Sequence, residues 1–148
     1  MSMQLCGFDE VKEGLKNGLP IKLILVKRNH NNKALEQLIS LVNQSEIQVI
    51  EGSDNDLWRM SKNNSEGTPD VLALVGRNPS ATFEEVLESG GLIWILDGAK
   101  YPVNIGFCIR TAEVSGADAV IVDGQLNNQE RSAAKRASMK AHRFIPIF

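Results

Sequence analysis

The chain has 148 residues, of which 43% are hydrophobic and 23% are charged. This ordinary globular composition argues against a disordered chain, a collagen or a coiled coil. The longest apolar runs are far too short to span a bilayer, and two cysteines cannot form a disulfide framework. With no visible signal peptide, we expect a reduced, cytoplasmic α/β protein that does not enter a membrane.

Helical and strand patterns alternate along the chain, which predicts an α/β fold with parallel or mostly parallel sheets. In the first half, Ser53 is a candidate helix N-cap, because acidic residues follow it at the positive end of the helix dipole. The predicted elements of this half are a helix over 8–17, a strand over 21–26, a helix over 34–43, a strand over 47–50, a short helix over 54–60 and a strand over 71–75.

The second half opens on a capping box, in which Thr82 is followed three residues later by Glu85. Gly116 is placed to end a later helix in the left-handed conformation. Pro146 marks the end or the edge of the final apolar segment. The predicted elements are a strand over 92–96, a loop over 100–103, a helix over 104–115, a strand over 119–122, a helix over 128–140 and the start of a strand over 143–148.

The charge is uneven, although the net charge is only −2. Residues 131–148 carry five basic side chains and no acidic one, so this tail is +5 and residues 1–130 are −7. An uncompensated basic tail favours an anionic partner, and a solvated basic helix face is the equal alternative. The basic side chains of the tail are Arg131, Lys135, Arg136, Lys140 and Arg143.

Most residues that often carry chemistry have structural interpretations here. His30 lies in a polar loop and is expected to be solvated, and neither histidine has a partner at metal-ligand spacing. Cys108 falls on the apolar stripe of its predicted helix, which favours a buried structural thiol. Trp58 and Trp94 are expected in the core.

Residues 96–123 are the most informative segment, since they read as strand, polar loop, helix and strand. The loop leaves the carboxyl end of a strand, where α/β folds place ligands. Asn104 can cap the helix or hold a ligand oxygen. Arg110 lies off the apolar stripe and suits a phosphate or a carboxylate. The alternative is a helix cap and a surface arginine without a ligand.

The same segment resembles the first motif of the SpoU (TrmH-type) RNA methyltransferases of the SPOUT superfamily. Tyr101 departs from the pattern, since the family usually has Asp there, and Lys140 replaces a usual Gly further on. Residues 7–75 resemble the small substrate-binding domain of the family. The matching motif residues are Asp97, Pro102, Asn104, Gly106, Arg110, Thr111 and Ala112.

The resemblance implies a fold as well as an activity. It implies a small α/β RNA-binding domain over 1–76, a linker with a short helix over 77–90, and the first part of a SPOUT (α/β-knot) parallel-sheet domain over 91–148. The family's second and third motifs, which form the knot and most of the cofactor pocket, have no match in the sequence. We therefore expect a chain truncated before the knot, in which the cofactor-binding residues are unknown.

The implied reaction is methyl transfer from S-adenosylmethionine to a ribose 2′-hydroxyl of rRNA or tRNA, by a homodimer. By resemblance, Arg110 is the catalytic residue that contacts the RNA, and Asn104 orients it. Neither a metal nor DNA is implied. A non-catalytic RNA-binding relative and an assembly domain without RNA remain alternatives. The expected RNA-binding residues are Lys27, Arg28, Lys135, Arg136 and Arg143.

Overall fold

The computed structural model describes residues 3–62 and 66–148, which form two compact units, Met3–Arg77 and Asn78–Phe148. The elements of the first unit are β1 (Met3–Cys6), α1 (Phe8–Lys16), β2 (Ile21–Lys27), α2 (Lys33–Val42), β3 (Gln48–Gly52), α3 (Asp54–Met60) and β4 (Val71–Val75). Those of the second are α4 (Phe83–Ser89), β5 (Ile93–Asp97), α5 (Pro102–Val114), β6 (Ala119–Asp123), α6 (Asn128–Ala137) and a short 3-10 helix (Ala141–Arg143).

The first unit contains a mixed sheet in the order β1-β4-β2-β3. Only β2 and β3 are parallel neighbours, because β4 runs antiparallel to both β1 and β2. The prediction of a mostly parallel sheet is therefore wrong for this unit, although the α/β class is confirmed. Alternation of strands and helices does not fix strand direction, and strand β1 was missed because it is only four residues long.

The helices of the first unit begin where short polar side chains satisfy free backbone N–H groups. The Ser53 side chain accepts from the N–H of Asp56, and the Asp56 carboxylate accepts from the N–H of Ser53. This reciprocal box confirms the predicted start of α3. Asn32 caps α2 in a similar way by accepting from the N–H groups of Ala34 and Leu35. Each cap typically contributes about 1 kcal/mol.

The second unit is built on a parallel pair, β5 and β6, in register from Ile93 opposite Ala119 to Asp97 opposite Asp123. The predicted final strand is only a parallel bridge between Ile147 and Val120. Pro146 lacks an N–H and accepts a hydrogen bond from Val120 through its carbonyl at 3.0 Å. The final segment is therefore shorter as a strand than its apolar composition suggested.

Three predictions for single side chains have different outcomes. Trp94 is half-buried and packs against the core of the second unit, as expected. Trp58 is 53% exposed, so its expected place in a core is wrong. Cys108 and His30 are both half-buried, whereas a buried thiol and a solvated imidazole were expected.

Among the described residues, no helix is long and apolar enough to cross a membrane.

Candidate RNA-binding site

The helix that carries the motif, α5, starts two residues earlier than predicted. Tyr101 is the N-cap, and Pro102 occupies the first helical position, where its missing N–H costs nothing. Asn104 is therefore exposed in the first turn rather than at the cap, which corrects its predicted capping role. Its side chain helps to line a cavity of about 270 Å³ between the 98–101 loop and α5.

Arg110 is held by an acidic neighbour one turn further along α5. Its Nη1 donates to Oε2 of Glu113 at 3.2 Å. The Glu113 side chain is 1% exposed and the Arg110 side chain 24% exposed. A carboxylate buried to this degree is costly unless a cation or hydrogen-bond donors accompany it. Glu113 therefore restrains the Arg110 guanidinium while leaving part of it accessible to solvent.

The two predicted catalytic residues lie on different sides of α5. Arg110 follows Asn104 by six positions along the helix. This corresponds to a rise of about 9 Å, and the two side chains leave the helix axis in directions about 120° apart. The helix places Asn104 toward the cavity that Cys108 also lines, and Arg110 beside Glu113. Glu113 is the side chain that contacts the Arg110 guanidinium here, and the orienting role of Asn104 stays a prediction.

Gly106, the glycine of the motif, lies at the contact between α5 and α6. A Cβ atom built there would come within 2.5 Å of the Ala134 carbonyl oxygen and 2.8 Å of the Ser138 amide nitrogen. Both are backbone atoms, which cannot move aside as a side chain could. The glycine therefore permits a close approach of two helices, and this approach brings the end of α6 beside the Arg110 side of α5.

The basic side chains of the C-terminal tail gather where α6 ends. Lys135, Arg136 and Arg143 are exposed, and none has a carboxylate within ion-pair distance among residues 3–62 and 66–148. Burial and the positive charges of Arg143, Lys135 and Lys140 lower the pKa of His142, against an opposing hydrogen bond to the Lys135 backbone. The tail thus presents a concentrated positive charge.

The two basic candidates of the first unit are in a different electrostatic situation. Lys27 Nζ lies 2.8 Å from Asp54 and 3.7 Å from Asp70. The hydrogen bond and charge of Asp54 raise the pKa of Lys27, and Asp70 adds to the effect. Arg28 Nε lies 3.9 Å from Glu51 across a well-exposed pair. Both cations are therefore partly neutralised within their own domain.

A second cavity, of about 230 Å³, lies between α5, α6 and β6. Its lining is mainly apolar, and its charged members are Arg131 and Lys135. Ligand pockets usually enclose about 300–1,000 Å³. S-adenosylmethionine carries a positive sulfonium, a positive ammonium and one carboxylate, so its net charge is positive and this cavity offers no carboxylate to balance it. The residues of this cavity therefore do not fit that cofactor by themselves.

Sequence reasoning missed Glu113 and the pair formed by Ser138 and His142. Glu113 follows the motif at i+3 from Arg110, and that spacing is the signal that could have found it. The Ser138 hydroxyl is buried, donates to the Lys135 carbonyl at 2.7 Å and lies 3.0 Å from His142 Nδ1. The spacing of Ser138 and His142 gives no comparable signal, because serine and histidine both occur near helix C-termini without contacting each other.

Residues 4–75 match the family described as RNA 2′-O ribose methyltransferase substrate binding. Proteins of Staphylococcus aureus and Staphylococcus epidermidis named as TrmH family tRNA/rRNA methyltransferases are each 26% identical over 149 aligned positions. These matches cover 97% of this chain and 59% of the relatives, so the chain spans less than two thirds of their length. A crystal structure of an RNA 2′-O ribose methyltransferase matches 99% of this chain and 54% of its own, with 24% identity and a TM-score of 0.41.

Proposed function

We propose that this chain is a member of the SpoU (TrmH-type) family of RNA methyltransferases and takes part in S-adenosylmethionine-dependent methylation of a ribose 2′-hydroxyl in rRNA or tRNA. The observation that carries the proposal is the match of residues 4–75 to a substrate-binding domain, followed in the same chain by the motif on α5. In this proposal, residues 1–76 recognise RNA, residues 77–90 are a linker with a short helix, and residues 91–148 contribute the motif.

Arg110 binds a phosphate and positions the ribose in the proposed reaction. A guanidinium stays charged at any ordinary pH, so it is suited to phosphate binding and poorly suited to removing a hydroxyl proton. Glu113 limits the orientations of the guanidinium, which lowers the entropy lost when RNA binds. Asn104 acts separately in this proposal, as a polar contact at the cavity beside the 98–101 loop.

Phosphate binding by the tail follows from the charges of three of its exposed side chains. Lys135, Arg136 and Arg143 lack carboxylate partners among the described residues, so RNA can approach them without breaking an ion pair. Lys27 and Arg28 would have to leave Asp54 and Glu51 to contribute as strongly. We therefore assign most of the electrostatic affinity to the tail and a smaller, adjustable part to the first domain.

S-adenosylmethionine supplies the methyl group in this family. The apolar cavity with Arg131 and Lys135 does not fit it, so we place no cofactor there. The proposed contribution of this chain is to bind the RNA and to hold its backbone at α5.

A homodimer in the cytoplasm completes the proposal. Helix α5 exposes an apolar stripe of Val103, Phe107 and Val114, which are 52%, 56% and 47% exposed. Arg110 lies along the same side at helical spacing. A second copy that covers the stripe would bring Arg110 to the subunit boundary. Sedimentation equilibrium should show dimers, and Phe107→Glu should shift them to monomers.

Two titrations of the 148-residue protein test the function and separate it from a non-catalytic RNA-binding relative. Labelled tRNA should bind with strong salt dependence, and Arg110→Ala should weaken that binding. Calorimetric titration with S-adenosylmethionine then distinguishes a methyltransferase from a non-catalytic RNA-binding relative. Saturable binding supports the methyltransferase, RNA binding without cofactor binding supports the relative, and absence of salt-sensitive RNA binding contradicts both.

A further inference from the structure

The turn after α6 places two residues with side chains in a conformation that normally belongs to glycine. Met139 has φ 51° and Lys140 has φ 71°, both in the left-handed region. Contact between Cβ and the backbone makes this region unfavourable for residues other than glycine. A glycine at position 140 would remove this cost, so the turn carries an energetic penalty for the lysine side chain.

The turn is held rigidly on both sides, so its strained conformation is fixed by the fold. The buried Ser138 hydroxyl donates to the Lys135 carbonyl at 2.7 Å. His142 Nδ1 lies 3.0 Å from the same hydroxyl oxygen, and the backbone N–H of His142 donates to it at 3.4 Å. Ala141 and Phe144, which follow, are almost completely buried.

The rigid turn gathers positive charge around His142. Hydrogen bonds hold the backbones of Lys135, Lys140 and Arg143 in this turn, since the Ser138 hydroxyl donates to the Lys135 carbonyl and the Arg143 N–H donates to the Lys140 carbonyl at 3.0 Å. The positive charges of the three side chains also lower the pKa of His142. A polyanion such as a phosphodiester backbone is attracted to three basic residues that leave one turn.

The turn also lies on the side of α5 that carries Arg110. Ser138, which begins the turn, contacts Gly106 through its backbone nitrogen. Arg110 is one helical turn beyond Gly106, about 6 Å along the axis and about 40° around it. An RNA backbone that reaches Arg110 on this side therefore passes close to the turn.

We propose that Lys140 is a phosphate-binding residue, which completes an RNA-backbone site with Lys135 and Arg143 at the end of α6. This inference rests on the proposed RNA function. The left-handed conformation fixes the backbone position from which the Lys140 side chain leaves the turn, and the strain accompanies that placement.

Three substitutions at position 140 separate charge from strain. Lys140→Gly removes both, Lys140→Asn removes the charge and tolerates the left-handed region, and Lys140→Arg keeps both. Lys16→Gln is the control for net charge, because Lys16 is an exposed lysine on α1 to which no RNA contact is assigned. Binding of labelled unfractionated tRNA is measured by fluorescence anisotropy over a range of salt concentrations, and thermal stability is measured in parallel.

We expect Lys140→Gly and Lys140→Asn to weaken tRNA binding about fivefold near 0.1 M salt and to reduce the salt slope by about 0.7–0.9. Lys140→Gly should at the same time raise the Tm by about 2–6 °C. Lys140→Arg and Lys16→Gln should bind as the unchanged protein does. A variant that is more stable and yet binds RNA less well cannot be explained by a purely structural lysine.

Unchanged binding by Lys140→Gly and Lys140→Asn would overturn this inference and leave the proposed function intact. An equal loss in Lys16→Gln would also overturn it, because the effect would then come from net charge. Failure of the unchanged protein to bind tRNA in a salt-dependent way would overturn the inference and the proposed RNA function together.

Discussion

Arg110 and Glu113 form an ion pair of unequal burial, with 3.2 Å between Nη1 and Oε2, in which the carboxylate is almost completely buried and the guanidinium is partly exposed. Solvent can compensate the arginine if the pair is broken, but it cannot reach the glutamate equally well. The pair is therefore asymmetric in its energetics, and this asymmetry can be measured.

Arg110→Ala should lower the free energy of unfolding by about 2–4 kcal/mol, because it leaves the buried charge of Glu113 without this partner. Adding Glu113→Gln to Arg110→Ala should recover part of the loss, since the neutral amide needs no cation. Urea unfolding of the two single variants and the double variant measures the coupling. If the loss of unfolding free energy in the double variant equals the sum of the two single-variant losses, other groups compensate the charge of Glu113.

Gly106→Ala should destabilise the second unit by about 1–3 kcal/mol, although alanine is the better helix former. The new Cβ would meet backbone atoms of Ala134 and Ser138. Gly14→Ala is the matched control, because its Cβ would meet the mobile end of Leu5. Chemical denaturation should separate the two variants, and equal effects would contradict the close helix contact.

His142 should make stability depend on pH. Its pKa is lower in the folded protein than the ordinary value of 6.5, so the folded state resists protonation. Its contribution to stability is fully present above pH 6.5 and is lost as the pH falls from there toward the lower folded pKa.

Urea midpoints between pH 5 and pH 8 test this dependence. His142→Asn should flatten the profile in this window, whereas His30→Asn, which removes the other histidine, should leave it steep. A folded-state pKa above 6.5 in an NMR titration of His142 would contradict the expected direction.

Asp54→Asn combined with Asp70→Asn should strengthen RNA binding if Lys27 contacts phosphate. The two substitutions remove the carboxylates that lie 2.8 and 3.7 Å from its Nζ. We expect a steeper salt dependence, by about one phosphate contact, because the lysine charge becomes available. Adding Lys27→Gln should cancel the gain. An unchanged salt slope in the double Asn variant would remove Lys27 from the RNA-binding residues.

Local signals in the sequence determined much of the chain's organisation. The boxes at Ser53 and Thr82 fixed the starts of α3 and α4, since a short side chain can satisfy backbone N–H groups only within three residues. Gly116, with φ 83°, ends α5 as expected. These features depend on neighbours in the chain, which a single sequence contains in full.

Strand direction and side-chain partners were decided only by the tertiary structure. Nothing near β4 in the chain shows that it runs antiparallel between β1 and β2, because its direction depends on residues far away in sequence. The sequence pattern puts Pro102 in a loop and Asn104 at the helix cap. In the structure Pro102 is the first helical residue, so Asn104 lies inside the first turn.

The sequence by itself therefore determined that Gly106 and Arg110 belong to a recognisable motif and that a basic tail follows it. Only the tertiary structure decided what each of them does locally. It buried Glu113 beside Arg110, packed Gly106 against the α6 backbone and placed Lys140 in a left-handed turn. The physical reason is that burial and packing arise from contacts between separate elements, which local spacing does not specify.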